Sequence, residues 1–266
     1  MAVEVFNRVE RKYLLEEDVY EKLKKRLEEK MEVDSYNRGE KFYSIMNIYY
    51  DTPSDELIRN SLEHPVYKEK LRLRSYGVPQ MEDLVFLEIK KKFGGIVNKR
   101  RTSLLLSEAY EYLHNGKMPM ESCYSNQQVL REIDAFLKRY CLLPKVFLAY
   151  DRMAFFGRED KAFRVTFDTN LRTRREEVRL EKGMGGIQLL EEGIWLMEVK
   201  IMGAAPLWFT HLLSEYQIYP VSFSKYGTEY KRYLLQQNVL KGEEKLCLKQ
   251  LLHQPMEQHY RLVQQY

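Results

Sequence analysis

Charged side chains recur at every second position in seven short segments of this chain. Side chains along a β-strand point alternately to its two faces, so residues two apart share one face. The residues that share a face within each segment are Arg8, Glu10 and Lys12; Lys68, Lys70, Arg72 and Arg74; Glu88 and Lys90; Lys99 and Arg101; Tyr150 and Arg152; Arg164, Thr166 and Asp168; Glu198 and Lys200. A single strand of this kind is typical of the solvated face of an antiparallel sheet. Seven in succession, dominated by Lys and Arg with a few acids, favour one enclosed basic face.

This composition indicates a site for a polyanion. Arginine binds phosphate oxygens with two parallel N–H groups, and lysine adds a point charge. Burying many cations without partners is costly, so such a face is tolerable only in a wide, wet cavity. The carboxylates among the bases either pair with them or hold a hard cation that bridges phosphates.

The elements that must position this face are short strands with little βαβ alternation. The strand patterns are 3–14, 42–51, 66–76, 84–92, 97–105, 145–155, 162–168, 174–182 and 194–201, and the helical patterns are 16–30, 55–60, 107–114, 126–140, 206–216 and 226–240. Nine or so strands with little βαβ alternation predict an antiparallel sheet or barrel. With the charged face inside and the helices packed outside, we expect an α+β fold built on a closed antiparallel β-barrel. We expect one domain over residues 1–240 and a helical tail over 241–266, broken by Pro255.

Composition narrows the class of protein further. The 266 residues carry 43 Lys and Arg against 39 Asp and Glu, so a polyanion site must come from local arrangement and not from overall charge. Three widely spaced cysteines indicate reduced thiols, and there is no signal peptide or apolar run long enough to span a bilayer. We therefore expect a cytoplasmic protein without a membrane span of its own.

Several short motifs carry a family resemblance. In order along the chain, from Val5 to Leu235, they are VERKYLL, KLRLRSY, FLEIKKK with NKRR, AYDRMAF, FRVTFDTNL, MEVK and FSKYGTEY. This series resembles the VTC domain, the polyphosphate polymerase domain of the triphosphate tunnel metalloenzyme (CYTH-like) superfamily. The resemblance implies an eight-stranded tunnel that transfers the γ-phosphate of ATP to a growing polyphosphate chain, with Mn²⁺ or Mg²⁺ as cofactor. The choice between the two metals stays open, since both favour oxygen ligands.

The resemblance also implies roles for individual residues. The group around the transferred phosphate would be Arg72, Arg74, Lys90 and Arg152. Other phosphate-binding residues would be Lys12, Lys99, Arg101, Tyr150, Arg164, Lys200, Ser224 and Lys225. The metal ligands would be Glu198 first, then Glu88 and Glu10. Arg8 replaces the first acid of the ExExK motif of the wider superfamily, which weakens the case for a plain triphosphatase and is common in VTC domains.

Two other functions remain open: a triphosphatase of the same fold, and a non-catalytic module that binds polyphosphate or inositol phosphates. Some residues also have ordinary explanations. Glu88 could simply pair with Lys90 and Glu198 with Lys200, Ser224 could cap the helix that follows, and Asp168 could be a structural acceptor at a strand end.

The expected partners are ATP and polyphosphate, with a separate membrane protein as a further possibility. Nucleic acid is not expected as a partner. Proteins that bind single-stranded nucleic acid add exposed aromatic residues to a basic groove, and Tyr150 is the only aromatic residue predicted on the charged face.

Overall fold

We analysed a computed structural model of the protein, which describes residues 8–39, 41–94 and 96–240. The strands are β1 (Arg8–Glu16), β2 (Met31–Val33), β3 (Tyr43–Asp51), β4 (Tyr67–Tyr76), β5 (Leu84–Phe93), β6 (Ile96–Leu105), β7 (Leu143–Gly157), β8 (Arg164–Arg174), β9 (Ile187–Gln188) and β10 (Ile194–Met202). The helices are α1 (Glu17–Lys30), α2 (Glu56–Leu62), α3 (Leu106–Asn115), α4 (Gln127–Arg139), α5 (Leu207–Glu215) and α6 (Lys225–Leu240). The predicted tail 241–266 and the first residues of the predicted strand 3–14 lie outside the described residues, and the domain boundary at 240 stays a prediction.

All strands belong to one antiparallel sheet in the order β1-β10-β8-β7-β3-β4-β5-β6, with β2 added to β7 and β9 to β8. The α+β class is therefore confirmed. The closed barrel is not confirmed, because within residues 8–39, 41–94 and 96–240 no hydrogen-bonded pairing joins β1 to β6. Both edge strands nevertheless line one cavity, β1 through Val9 and Glu10 and β6 through Val97 and Lys99. Strands in a sheet twist, and the register shifts in the β3–β7 and β7–β8 pairings add local bends, so the open sheet curls around that space.

Two hydrophobic cores cover the outer face of the curled sheet. On β4 and β5, Leu71, Leu73 and Leu87 are fully buried under α3 and α4. On the other side, α1 and α5 cover the outer face of β1, β8 and β10, where Leu23 and Phe209 are fully buried. The apolar positions of these strands thus face the helices, and the intervening charged positions face inward.

The helix α6 departs from the expectation that helices pack outside. It lies against inward-facing apolar side chains, with Tyr226 and Tyr230 packed among Ile45, Leu148 and Leu196. These inner positions cannot be left in water without cost, so this part of the inner face needs an apolar cover. The start of α6 is thereby brought to the cavity.

One predicted strand, 174–182, is wrong. Strand β8 ends at Arg174, and residues 175–186 form turns and irregular structure. The guanidinium of Arg174 organises this loop by donating to the carbonyl oxygens of Glu177, Arg179, Gly183 and Gly185 over 2.6–3.2 Å. These carbonyl oxygens accept from the Arg174 side chain and not from the backbone N–H groups of a neighbouring strand.

A membrane span is not found among the helices that the structure describes, since none of them is both long and apolar enough.

Candidate functional site

The curled sheet encloses a cavity of about 970 Å³. All fifteen residues with predicted roles line it except Arg101 and Arg164. Its wall also includes Tyr49, Lys70 and Tyr226, to which sequence reasoning assigned no role, although Lys70 was placed on the charged face. In total nine lysine or arginine side chains and three glutamates line the cavity, a formal excess of six positive charges. Such a cavity attracts an anion with several charges.

On the wall built by β4, β5 and β6, one glutamate lies among three cations. Glu88 is 2% exposed and accepts a hydrogen bond from Arg72 Nε at 2.6 Å. Lys99 Nζ lies 2.7 Å and Arg74 Nε 3.8 Å from its carboxylate. Burial raises the pKa of Glu88, but the charges of Arg72, Arg74 and Lys99 outweigh it and hold the pKa at about 2. Of the two roles left open for Glu88, this geometry favours pairing, with Arg72 and Lys99 instead of Lys90.

The opposite wall carries a buried cluster of two cations and two acids. Arg152 donates to both oxygens of Asp168 at 2.6 and 2.7 Å and to Glu198 at 3.2 Å. Lys225 Nζ donates to Glu198 at 2.8 Å and lies 2.6 Å from Asp168. Burial raises the pKa of Glu198, but Lys225, Arg152, Lys12 and Lys200 drive it well below its usual range. The four charges of this cluster cancel, so most of the excess positive charge lies on the other wall.

Asp168 has more partners here than sequence reasoning gave it. One explanation left open was a structural acceptor at a strand end, but Asp168 lies in the middle of β8 and pairs in register with both Arg152 and Leu196. The available signal was its place on the charged face, two residues after Thr166.

Lys12 ties β1 to the segment that precedes α6. Its Nζ donates to the carbonyl oxygen of Phe223 at 2.9 Å, and its carbonyl oxygen accepts from the backbone N–H of Val221 at 2.7 Å. Ser224 then caps α6, because its hydroxyl accepts from the N–H of Gly227 at 3.2 Å. The cap that sequence analysis left open is thus present, and Ser224 also lines the cavity.

Three lysines on the cavity wall have lowered pKa values. Burial lowers the pKa of Lys70, Lys99 and Lys200 to about 8 in each case. Nearby glutamates raise the pKa of Lys99 and Lys200 but do not outweigh the burial. For Lys70 the charges of neighbouring lysines lower the pKa further. An anion that enters the cavity would favour the protonated form of all three.

The expectation that Tyr150 is the only aromatic residue on this face is wrong. Tyr49 and Tyr226 also line the cavity. Their rings stack on each other with centroids 4.8 Å apart, and both side chains are buried. Because each ring covers the other, they do not form exposed platforms of the kind that single-stranded nucleic acid uses.

The predicted metal ligands do not form a ready-made metal centre. Among the residues that the structure describes, no three His, Cys, Asp or Glu side chains lie close enough to share an ion. Glu10 and Glu198 do approach one point, since their oxygens lie 3.6 and 3.8 Å from Lys12 Nζ. Mg²⁺ is commonly held by one or two carboxylates together with substrate phosphates. Glu198, like Glu88, is already paired with cations. A divalent cation held by Glu10 and Glu198 would therefore take the place of the Lys12 ammonium between them and share its ligands with a phosphate.

The two predicted residues outside the cavity lie beside it. Arg101 sits over the ring of Phe86, with its guanidinium carbon 4.6 Å from the ring centroid. Arg164 lies over Phe156 at 4.8 Å and near the hydroxyl of Tyr43 at 3.5 Å. Both arginines therefore contact aromatic rings.

Comparison with known proteins gives one family and several distant structural likenesses. No curated protein matches the chain. Putative adenylate cyclases from Bacillus halodurans and Vibrio parahaemolyticus are 16% and 14% identical, with TM-scores of 0.49 and 0.44; the alignments cover 82% and 85% of this chain and 93% and 98% of theirs. A putative adenylyl cyclase from Hippeastrum with a dominant triphosphatase activity is 15% identical, with a TM-score of 0.46, over 82% of this chain and 93% of its own. At these identities and TM-scores none of the three bears on what this chain does.

The family model of the VTC domain matches residues 7–234, which include every strand from β1 to β10 and every residue of the cavity wall. The chain therefore belongs to the VTC domain family.

Proposed function

We propose that this protein is an ATP-dependent polyphosphate polymerase, which transfers the γ-phosphate of ATP to the end of a polyphosphate chain inside the cavity. The observation that carries the proposal is the excess of six positive charges around a space of about 970 Å³. Membership of the VTC family supports it.

The proposed chemistry depends on position and charge. An oxygen of the terminal phosphate of polyphosphate attacks the γ-phosphorus in line, and the bond from that phosphorus to the β-bridging oxygen breaks as ADP leaves. Most of the charge in such a transition state lies on phosphoryl oxygens, which cations held in place stabilise. Arg72, Arg74, Lys90 and Arg152 would supply that charge. The attacking phosphate is already anionic, so the reaction needs no general base.

We assign different roles to the two walls of the cavity. The wall of β4, β5 and β6 keeps uncompensated positive charge and would hold the polyanion. On the opposite wall, Glu198 and Glu10 would hold a divalent cation, which would neutralise charge on phosphate oxygens. A bound phosphate chain that contacts both β1 and β6 would also complete the tunnel that the open sheet outlines. The cytoplasmic location, the absence of a nucleic-acid partner and a separate membrane partner stay predictions.

The test separates the polymerase from its two rivals. Purified protein is incubated with ATP and Mn²⁺, ADP is measured, and the products are run on a gel stained for polyphosphate. ADP with a ladder of long chains supports the polymerase. Free phosphate without a ladder would favour a triphosphatase, and no turnover of ATP would favour a binding module.

A lysine pair on β5 provides a matched variant test. Lys90 lines the cavity, whereas the adjacent Lys91 points to the outer face and pairs with Glu132 at 2.8 Å. We expect Lys90→Ala to reduce the rate of chain extension about 10²- to 10³-fold, the effect of losing one preorganised electrostatic contact. Lys91→Ala should keep the rate of the wild type. Equal rates for the two variants would contradict the role given to Lys90.

A further inference from the structure

A surface of aromatic rings and arginines adjoins the cavity. We call it the aromatic–arginine surface, and it consists of Tyr43, Tyr76, Phe86, Arg101 and Arg164. The rings form a series, with centroids 6.2 Å apart for Tyr43 and Tyr76 and 5.7 Å apart for Tyr76 and Phe86. Arg101 lies over Phe86 and Arg164 reaches the Tyr43 hydroxyl.

Strand register makes this surface continuous with the cavity wall. Tyr43 is paired with Arg152, Phe86 with Arg74, and Arg164 with Lys200. Side chains of directly paired residues lie on the same face of the sheet. Each of these three members therefore lies one strand away from a residue that lines the cavity.

Both arginines of this surface have side-chain N–H donors that make no hydrogen bond to the described residues. In the part of the chain that the structure describes, the side chain of Arg101 makes no hydrogen bond or ion pair, and it contacts the ring of Phe86. The guanidinium of Arg164 has two polar partners, the Tyr43 hydroxyl at 3.5 Å and the Asp34 carboxylate at 3.8 Å. Its buried Nε has no hydrogen-bond partner within the described residues. By contrast, Arg72 and Arg152 each make a bond of 2.6 Å. A buried donor without a partner is unfavourable, and a ligand with acceptor atoms would relieve it.

Exposed aromatic rings beside guanidinium groups fit the base of a nucleotide. Tyr76 is 51% exposed, so part of its ring is available for contact. Aromatic rings stack with nucleobases, and arginine adds cation–π contacts and hydrogen bonds. Polyphosphate and inorganic phosphate have no planar apolar group, so an aromatic surface offers them little.

We propose that the aromatic–arginine surface binds the nucleoside of the triphosphate donor while its phosphates enter the cavity. This inference rests on the proposed function, because it requires that the donor is a nucleoside triphosphate. In this arrangement Arg101 and Arg164 contact the nucleoside of the donor and not the polyphosphate chain, and Tyr76 stacks on the base.

The test compares a nucleotide with a ligand that has the same phosphates and no base. A non-hydrolysable ATP analogue and inorganic tripolyphosphate are titrated by calorimetry into the wild type, Tyr76→Ala, Tyr76→Phe and Phe93→Ala. Tyr76→Phe keeps the ring. Phe93 is a matched control, since it is a 64% exposed aromatic residue at the other end of β5, packed near Tyr67.

We expect Tyr76→Ala to weaken binding of the ATP analogue about 5- to 100-fold, as for the loss of one base–aromatic stack, and to leave binding of tripolyphosphate unchanged. Tyr76→Phe and Phe93→Ala should bind both ligands like the wild type. If Tyr76→Ala binds both as the wild type does, or weakens both equally, the inference is overturned. A wild type that binds tripolyphosphate but not the ATP analogue would likewise overturn it and leave a triphosphate-binding cavity in place. Binding of neither ligand would overturn the proposed function itself.

Discussion

Replacement of Asp168 by asparagine tests the electrostatics of the buried cluster most directly. Asp168 is fully buried and is bonded to Arg152 at 2.6 and 2.7 Å, with Lys225 Nζ at 2.6 Å. Asparagine has the same shape, but it is neutral and its amide must point N–H groups at one of these cations. Arg152 and Lys225 would then share Glu198 as their remaining acid in the cluster, at 3.2 and 2.8 Å.

The expected loss of stability is large. Removal of one partner from a buried ion pair costs about 3–5 kcal/mol, because it leaves a charge buried without compensation. The matched control is Asp134→Asn on α4, where the partly exposed Asp134 (22%) pairs at 2.7 Å with Lys138, which is 76% exposed. An exposed pair one helical turn apart contributes about 0.3–0.5 kcal/mol, so the control should be nearly neutral.

The assay is urea unfolding of the three proteins, with the free energy of unfolding extrapolated to water. A second reading is the affinity for tripolyphosphate, which Asp168→Asn should keep or strengthen because the cavity wall gains one positive charge. The reasoning is refuted if Asp168→Asn lies within about 0.5 kcal/mol of the wild type, the range of an ordinary surface substitution. A loss of tripolyphosphate affinity in folded protein would also contradict it.

Two further predictions concern proton binding and the position of α6. Lysine binds a polyanion in its protonated form and burial holds the pKa of Lys70 at about 8, so affinity should be full below that pH and fall as pH rises through it. Lys70→Gln should then lower the proton uptake on binding tripolyphosphate at pH 8, measured by calorimetry in buffers of different ionisation enthalpy, by about half a proton; an unchanged uptake would exclude Lys70 as a proton acceptor. The buried carboxylate of Asp51 accepts from two backbone N–H groups of α2 at 2.8 and 2.9 Å and from the Tyr226 hydroxyl at 3.0 Å. We expect Asp51→Asn to lower the free energy of unfolding by about 1.5–3 kcal/mol, the range of a hydrogen bond to a charged group, and to weaken tripolyphosphate binding as α6 shifts; wild-type values for both would show that the contact is dispensable.

Local patterns in the sequence predicted much of the sheet. The predicted strand 66–76 matches β4 within one residue, and its alternation places Leu71 and Leu73 in the outer core while Arg72 and Arg74 line the cavity. This works because the side-chain period of a strand depends only on local backbone geometry. The six helices were likewise predicted from local signals, such as the apolar stripe of residues 16–30 and the Thr52-Pro53-Ser54 start of the helix at 55–60.

Features that depend on distant partners were missed. Asp168 was placed on the charged face, with a strand-end acceptor as its ordinary explanation. Its partners Arg152 and Lys225 are 16 and 57 residues away in sequence, and no local pattern joins them to it. The alternation around Val178 and Leu180 suggested a strand, but backbone carbonyl oxygens of this segment accept hydrogen bonds from the guanidinium of Arg174.

The sequence by itself determined which side chains share a face, and therefore that a basic face with a few acids exists. Only the tertiary structure decided how that face is enclosed: by an open, curled sheet whose two edge strands line one cavity, with α6 on the inner side supplying Lys225 and Tyr226. The physical reason is that alternation is a property of each strand, whereas closure, ion pairing and the place of α6 depend on where separate strands and helices meet in space.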